Sequence, residues 1–158
     1  MAWTSSYIVP STLAAGLTGA ASVNLGTSAT DVYVALFGSG TTPNVDGDPQ
    51  YYGDSIWTSG NECTGTNWVA GGYALSLTGA GLTHQSGGFM EFQAGNVSQA
   101  STTISTAVYG CLLYFQGMSP HPLAICAVYF GGSGYTTSGT PFGITWPTGG
   151  IWTLELQP

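Results

Sequence analysis

Two histidines, two glutamates and one cysteine are the side chains of this sequence best suited to acid–base or nucleophilic chemistry. Glu62 and Glu91 are the only glutamates before the last strand-like segment, and glycoside hydrolysis needs two carboxylates at a defined separation. His84 lies in a Gly/Thr/Ser-rich stretch that predicts a turn, and His121 lies between two prolines in a predicted loop. Neither histidine accompanies a Gly-x-Ser-x-Gly motif, and Cys63 has no cationic neighbour except histidine to ionise its thiol. We therefore predict no catalytic residues and no enzymatic activity.

Calcium binding is a second chemical possibility. Asn44, Asp46 and Asp48 carry oxygen ligands at the 1, 3, 5 spacing of calcium loops. An EF-hand is excluded because its position 6 needs glycine, which here is Pro49, and its position 12 needs glutamate, which here is a serine. A looser calcium site that includes Asp54 and a solvated, metal-free turn are the two alternatives. We predict the metal-free turn, and no cofactor.

The chain contains no lysine and no arginine. An average domain of this length carries about 20 basic side chains. Seven acids give a net charge of −7: Asp31, Asp46, Asp48, Asp54, Glu62, Glu91 and Glu155. Nucleic acids and anionic membrane surfaces are excluded as partners, because both are bound mainly by basic side chains. Phosphate-binding loops that end in Gly-Lys are absent as well.

The length of 158 residues predicts one domain. We expect residues 1–30 to form an N-terminal arm with a short helix, and residues 31–156 to form the main fold. No apolar run reaches the ~18 residues of a membrane span. Residues 11–25 resemble the apolar part of a secretory signal but follow no positive segment, so no such signal is predicted.

Three cysteines give an odd number without a Cys-x-x-Cys pair. Free, mostly buried thiols at Cys63, Cys111 and Cys126 are the favoured interpretation. A disulfide between Cys111 and Cys126, which lie in neighbouring strand-like segments, is the alternative.

Hydrophobic patterning predicts β-structure almost throughout. Asp31–Gly38 is apolar on both faces, as in a strand at the centre of a sheet. Gly-rich and Pro-rich turns separate it from the other predicted strands, which are Trp68–Thr78 (with a bend at Gly71 and Gly72), Phe89–Phe92, Ala107–Phe115, Leu123–Phe130, Phe142–Trp146 and Ile151–Leu156. Ser11–Ala21 predicts one short helix with Ser11 as its N-cap. The predicted fold is an all-β antiparallel sandwich, jelly-roll or immunoglobulin-like, with a short N-terminal helix.

A long loop and five tryptophans suggest binding surfaces. Thr41–Ser59 is long for a connection between strands, and loops of that length tend to be functional or to pack on a partner. Trp57, within this loop, is a candidate for stacking on a sugar and equally a candidate anchor for a protein neighbour. Trp146 and Trp152 are predicted to lie in the core or at a subunit interface.

The order of several sequence phrases resembles a family of small structural proteins of tailed bacteriophages. The phrases, which cover most of residues 30–156, are VYVALFGSGTTPN (32–44), ECTGTNWVAGGYALSLTG (62–79), FMEFQAGNVSQASTTIST (89–106), AVYGCLLYF (107–115), PLAICAVYFGG (122–132) and FGITWPTGGIWTLEL (142–156). The chain departs from the family pattern at residues 93–96, where relatives tend to be acidic, and in lacking basic residues.

This resemblance implies a non-enzymatic virion component, made in the bacterial host and placed on the capsid exterior as a decoration protein. The implied partner is the major capsid protein, and the setting favours a homo-oligomer such as a trimer. A carbohydrate- or receptor-binding module of a tail or head fibre is the alternative. The absence of Lys and Arg agrees with a surface that does not adhere to packaged or host nucleic acid.

Overall fold

Nine strands and one helix make up the regular structure in the computed structural model, which describes residues 3–19, 23–26, 30–45, 50–54, 56–77, 81–119 and 121–155. In chain order they are β1 (Tyr7–Ile8), α1 (Pro10–Leu17), β2 (Val32–Gly38), β3 (Tyr73–Ala74), β4 (Gly81–Gln85), β5 (Phe89–Gln93), β6 (Val97–Phe115), β7 (Leu123–Tyr129), β8 (Tyr135–Ile144) and β9 (Trp152–Glu155). The predicted all-β sandwich with a short N-terminal helix is confirmed. No helix in these ranges is long and apolar enough to cross a membrane.

Two antiparallel sheets form the sandwich. The large sheet has the strand order β1-β7-β6-β2-β3, and β8 pairs with the first half of the 19-residue strand β6. The small sheet has the order β4-β5-β9. Residues that are far apart in sequence therefore lie side by side, as where Leu36 opposes Cys111 in the β2–β6 register.

The central part of the large sheet is buried on both faces, as the sequence of β2 predicts. Val32, Val34 and Leu36 point into a first core between the two sheets, together with Phe92 of the small sheet. Ala35 and Phe37, at the alternate positions, point into a second core on the opposite face, with Trp3, Val9, Trp57, Leu112, Tyr114, Ala124 and Ala127. Because successive residues of a strand face opposite sides, two cores require apolar residues at every position.

The helix begins earlier and is shorter than predicted. Its N-cap is Val9 and Pro10 is its first residue, so the prediction of Ser11 as the N-cap is wrong. Proline is favoured at this position because its fixed φ suits a helix start and its missing N–H would have no partner there. Thr12 anchors the helix to β7, because its hydroxyl donates a hydrogen bond to the carbonyl of Ala124.

Of the predicted strand Trp68–Thr78, only Tyr73–Ala74 pairs as a strand. Gly71 and Gly72 have φ of +84° and +69°, which ends the extended backbone before Tyr73. Val69, which the pattern of this segment places on the same apolar face as Tyr73, Leu75 and Leu77, is 56% exposed.

Strands with exposed, Ser/Thr-rich surfaces are longer than their apolar patterns predict. The predicted strand at residues 107–115 is the second half of β6. The predicted strand at residues 142–146 overlaps the end of β8 only at residues 142–144. The β6–β8 ribbon is exposed over most of its length, so it needs no alternating apolar residues and gives little signal in the sequence.

Candidate functional site

The side chains considered as catalytic candidates lie on different parts of the fold. His84 is exposed in β4, so the prediction that it lies in a turn is wrong, and the turn follows at residues 86–88. His121 is exposed, and its ring centroid lies 5.7 Å from that of Tyr51. No hydrogen bond joins either histidine to a carboxylate in the part of the chain that the structure describes.

Glu62 and Glu91 are separated by both sheets. Glu91 follows the alternation of β5, so it faces away from the first core into which its neighbour Phe92 points. Glu62 hydrogen-bonds Tyr52, which packs on the far face of the large sheet. Stacked sheets alone lie about 10 Å apart. This exceeds the ~5–9.5 Å that separates the two carboxylates of a glycosidase, so these residues form no such pair.

Glu62 is instead the centre of a buried polar cluster. Its side chain is 8% exposed, and its carboxylate accepts hydrogen bonds of 2.7 Å from the Tyr52 hydroxyl and from the Gly71 backbone N–H. The Tyr114 hydroxyl donates to the Gly71 carbonyl at 2.6 Å, and the Tyr52 and Tyr114 rings stack 4.4 Å apart. The cluster therefore ties the segment after β2 and the turn before β3 to strand β6.

Burial raises the pKa of the Glu62 carboxyl above its usual range, although the two hydrogen bonds that it accepts oppose the rise. Tyr52, Tyr114 and Cys63 are the titratable groups around it, and burial raises the pKa of each of them as well. The whole chain has no Lys or Arg to pair with this carboxylate. The charged form is consequently less favourable in the folded protein than in the unfolded chain.

Replacing Glu62 by glutamine is expected to stabilise the protein at pH 7–8 by about 1 kcal/mol, the order of magnitude of many single substitutions. The burial of ionised Glu62 destabilises the wild-type protein. Because the folded-state pKa is raised, the folded protein binds the Glu62 proton more tightly than the unfolded chain does, so this destabilisation disappears as the pH falls below the raised pKa. The difference between wild type and Glu62→Gln should therefore shrink as the pH is lowered. Urea unfolding at a series of pH values measures it.

Glu155→Gln is the matched control, because it removes the same charge from an exposed position on β9. It should leave the stability almost unchanged across the same pH series. Parallel curves for Glu62→Gln and Glu155→Gln would contradict the special role of the buried carboxylate.

The three cysteines are free and buried. Cys111 and Cys126 are not directly opposite each other, because Cys111 is in register with Val128 and Cys126 with Leu113. Burial raises the pKa of both thiols, and it raises that of Cys63 to about 11, with the Glu62 charge contributing. Since the thiolate is the reactive form, this arrangement disfavours Cys63 as a nucleophile.

The candidate calcium ligands Asp46 and Asp48 lie outside the described residues. Within those residues no group of three or more His, Cys, Asp or Glu side chains is placed to hold a metal ion. The carbonyl of Asn44 accepts a 2.5 Å hydrogen bond from the Gln50 side chain, which joins two residues of the predicted loop 41–59.

Trp57, a candidate for stacking on a sugar and equally for anchoring a protein neighbour, is completely buried in the second core. Its ring makes edge-on contacts with Trp3 and Phe37, at centroid distances of 5.6 and 5.0 Å. Its indole N–H donates to the Gln50 side-chain oxygen at 2.8 Å, and the Tyr7 hydroxyl donates to the same oxygen at 2.9 Å. The later part of the predicted loop 41–59 therefore packs on the chain's own large sheet, and Trp57 cannot stack on a sugar.

An apolar groove runs along one open side of the sandwich, where strand β1 of the large sheet faces strand β9 of the small sheet. Three adjoining cavities of about 270, 180 and 380 Å³ form it, and we call them together the side groove. Ile8 and Trp152 line both the first and the second cavity, and Val128 lines both the second and the third. The lining is predominantly apolar.

Exposed hydrophobic side chains mark the two ends of the side groove. Leu17, at the end of α1, is 79% exposed and lines the first cavity. Tyr135, at the start of β8, is 50% exposed and lines the third. Exposed apolar surface of this kind is typical of sites that bind a partner. The sequence does not predict this surface. It does predict Trp152 and Trp146, which line the walls of the groove, as core or interface residues.

Comparison with protein-family models, with curated proteins and with solved structures finds no match to this chain. The class of protein defined by the fold and the site is thus an all-β sandwich with a surface that lacks basic side chains and an apolar groove on one side.

Proposed function

We propose that the protein is a non-enzymatic structural component of a tailed-phage virion that binds the outside of the capsid and stabilises it. Its partner is the major capsid protein, and it acts as a homo-oligomer. The side groove is the observation that carries this proposal, because it offers an apolar binding surface to another protein. The resemblance of the sequence phrases to small phage structural proteins supplies the setting.

The chemistry of the surface favours binding of a partner protein over binding of a substrate. With no Lys or Arg, the chain forms salt bridges only with basic residues of its partner. Its affinity therefore rests on apolar contacts, backbone hydrogen bonds and shape. The burial of Trp57 removes the residue that best supported the carbohydrate-binding alternative.

Fractionation of the phage particles that contain this chain tests the proposal. The protein should co-purify with heads at a fixed stoichiometry, and heads stripped of it should disassemble at a lower temperature or denaturant concentration. Adding the purified protein back should restore the original threshold. Its presence on purified tails and absence from heads would overturn the proposal.

A further inference from the structure

We propose that the side groove binds an extended segment of a basic partner chain, which adds a strand to the free edge of β9. This inference deepens the proposed function, on which it rests, by naming the surface and the chemistry of the segment that docks there. The segment has alternating apolar side chains, which enter the groove, and Lys or Arg residues, which remain outside it.

The free edge of β9 is the first observation. Strand β9 pairs with β5 on one side, and no strand of the described residues pairs with its other side. Trp152, the first residue of β9, and the preceding Ile151 line the middle cavity together with Tyr7 and Ile8 of β1. An unpaired strand edge presents backbone N–H and C=O groups that an extended peptide can pair with. Side chains of such a peptide alternate between its two faces, so every second one would point into the groove.

The groove wall supplies the second observation. The indole N–H of Trp152 is buried and has no hydrogen-bond partner in the described part of the chain. Trp152 stacks on Phe92 at 5.6 Å and lines the first two cavities, so the residue that carries the unpaired donor is part of the wall that the segment would cover. A buried donor without an acceptor is unfavourable, and a small shift of the ring on binding would let a backbone carbonyl of the segment accept this hydrogen bond.

Charge selects the partner. The chain carries −7 and no Lys or Arg, and Glu155 is exposed at the end of β9 itself. In the groove, a second copy of the chain would bring acidic side chains and no basic one, so a basic chain is favoured there and the copies of a homo-oligomer would meet at another surface. A segment with Lys or Arg beside its apolar positions is attracted instead. The occupant of the groove is therefore a different, basic chain.

Titration of the purified full-length protein with three synthetic nonapeptides tests this inference. The probe peptide alternates Val with Thr and carries Lys at both ends. The second peptide has Glu in place of Lys, and the third has Pro at its central position. We expect the Lys peptide to bind at least about tenfold more tightly than the Glu peptide, a difference of ~1.4 kcal/mol that high salt should remove. The Pro peptide should bind weakly because proline lacks the N–H for strand pairing.

Two surface substitutions locate the binding site. Leu17→Asp and Tyr135→Ser, at opposite ends of the groove, should each weaken binding of the Lys peptide about tenfold, whereas Val69→Asp should not. Val69 is a matched control because it is also an exposed apolar residue, 56% exposed, and is not among the lining residues of these cavities. Amide hydrogen exchange of Thr153–Glu155 should slow when the peptide is bound.

Several outcomes would overturn the inference. The first is that the Lys peptide does not bind. The second is that the Lys and Glu peptides bind equally at low salt. The third is that Leu17→Asp and Tyr135→Ser leave the binding unchanged. Self-association that Leu17→Asp abolishes would assign the groove to a second copy. If the protein co-purifies with heads but the peptide tests fail, only this inference is overturned. If the protein binds the peptide but is absent from heads, only the proposed function is overturned.

Discussion

Replacing Trp57 by alanine is expected to destabilise the protein by about 3–5 kcal/mol, the range for removal of a large buried aromatic side chain. Trp57 has no exposed surface and touches two other rings of the second core, those of Trp3 and Phe37. Its loss would leave a cavity and would also remove one of the two donors to the Gln50 side-chain oxygen, the other being the Tyr7 hydroxyl of β1. Urea unfolding followed by tryptophan fluorescence and circular dichroism measures the change.

Trp57→Phe is the matched variant for this experiment. It keeps an aromatic ring in the second core but removes the indole N–H, so we expect a loss of about 1–2 kcal/mol from the missing hydrogen bond and the reduced packing. If Trp57→Ala unfolded at the wild-type urea concentration, the buried position of Trp57 would be wrong. Unchanged stability together with a loss of glycan binding would favour the carbohydrate-binding alternative.

Replacing Gly72 by alanine is expected to destabilise the protein by at least about 4 kcal/mol, at the upper end of single-residue effects. A Cβ atom at this position would lie 1.7 Å from the carbonyl oxygen of Val34 and 2.9 Å from the Cα of Ala35. Both atoms belong to the backbone of the central strand β2, which is paired on its other side with β6 and cannot give way. In addition, the φ of Gly72 is +69°, which side-chain-bearing residues rarely adopt.

Gly131→Ala separates the two contributions. Gly131 has a similar φ of +79°, but no atom beyond its chain neighbours lies within 4 Å of the position that a Cβ atom would occupy there. Its substitution should therefore show only the backbone strain, about 1–2 kcal/mol. Thermal unfolding and the yield of folded protein measure both variants. Equal stability of Gly72→Ala and Gly131→Ala would show that the close approach to β2 is absent.

The central strands of the fold can be predicted from the sequence because their own residues are apolar wherever the strand is buried. β2, the second half of β6, and β7 are apolar at consecutive positions, as strands covered on both faces must be. The pattern of Ile151–Leu156 predicts a half-buried strand, and Trp152 and Leu154 of β9 do alternate with exposed Thr153 and Glu155. By contrast, β4 and most of β8 escape prediction, because β4 has a single large apolar residue, Leu82, and β8 is mostly exposed.

The candidate site is largely outside the reach of sequence reasoning. The side groove is formed by α1, β1, β7, β8 and β9, which are far apart in the chain, so no local motif marks it. The position of Trp57 in a long polar loop predicts an exposed side chain. Its burial follows from the packing of that loop on the large sheet, where Gln50 accepts the indole hydrogen bond.

The sequence by itself determined the all-β class, the doubly buried central strands and the absence of basic side chains. These properties depend on residue type and on spacing along a single strand, both of which can be read directly from the chain. Only the tertiary structure decided that Glu62 and Glu91 lie on opposite sides of the sandwich, that Trp57 is in the core, and that an apolar groove stays open between β1 and β9. The physical reason is that a residue pattern specifies which faces must be covered, whereas the strand order and the loop packing select which distant segment covers them.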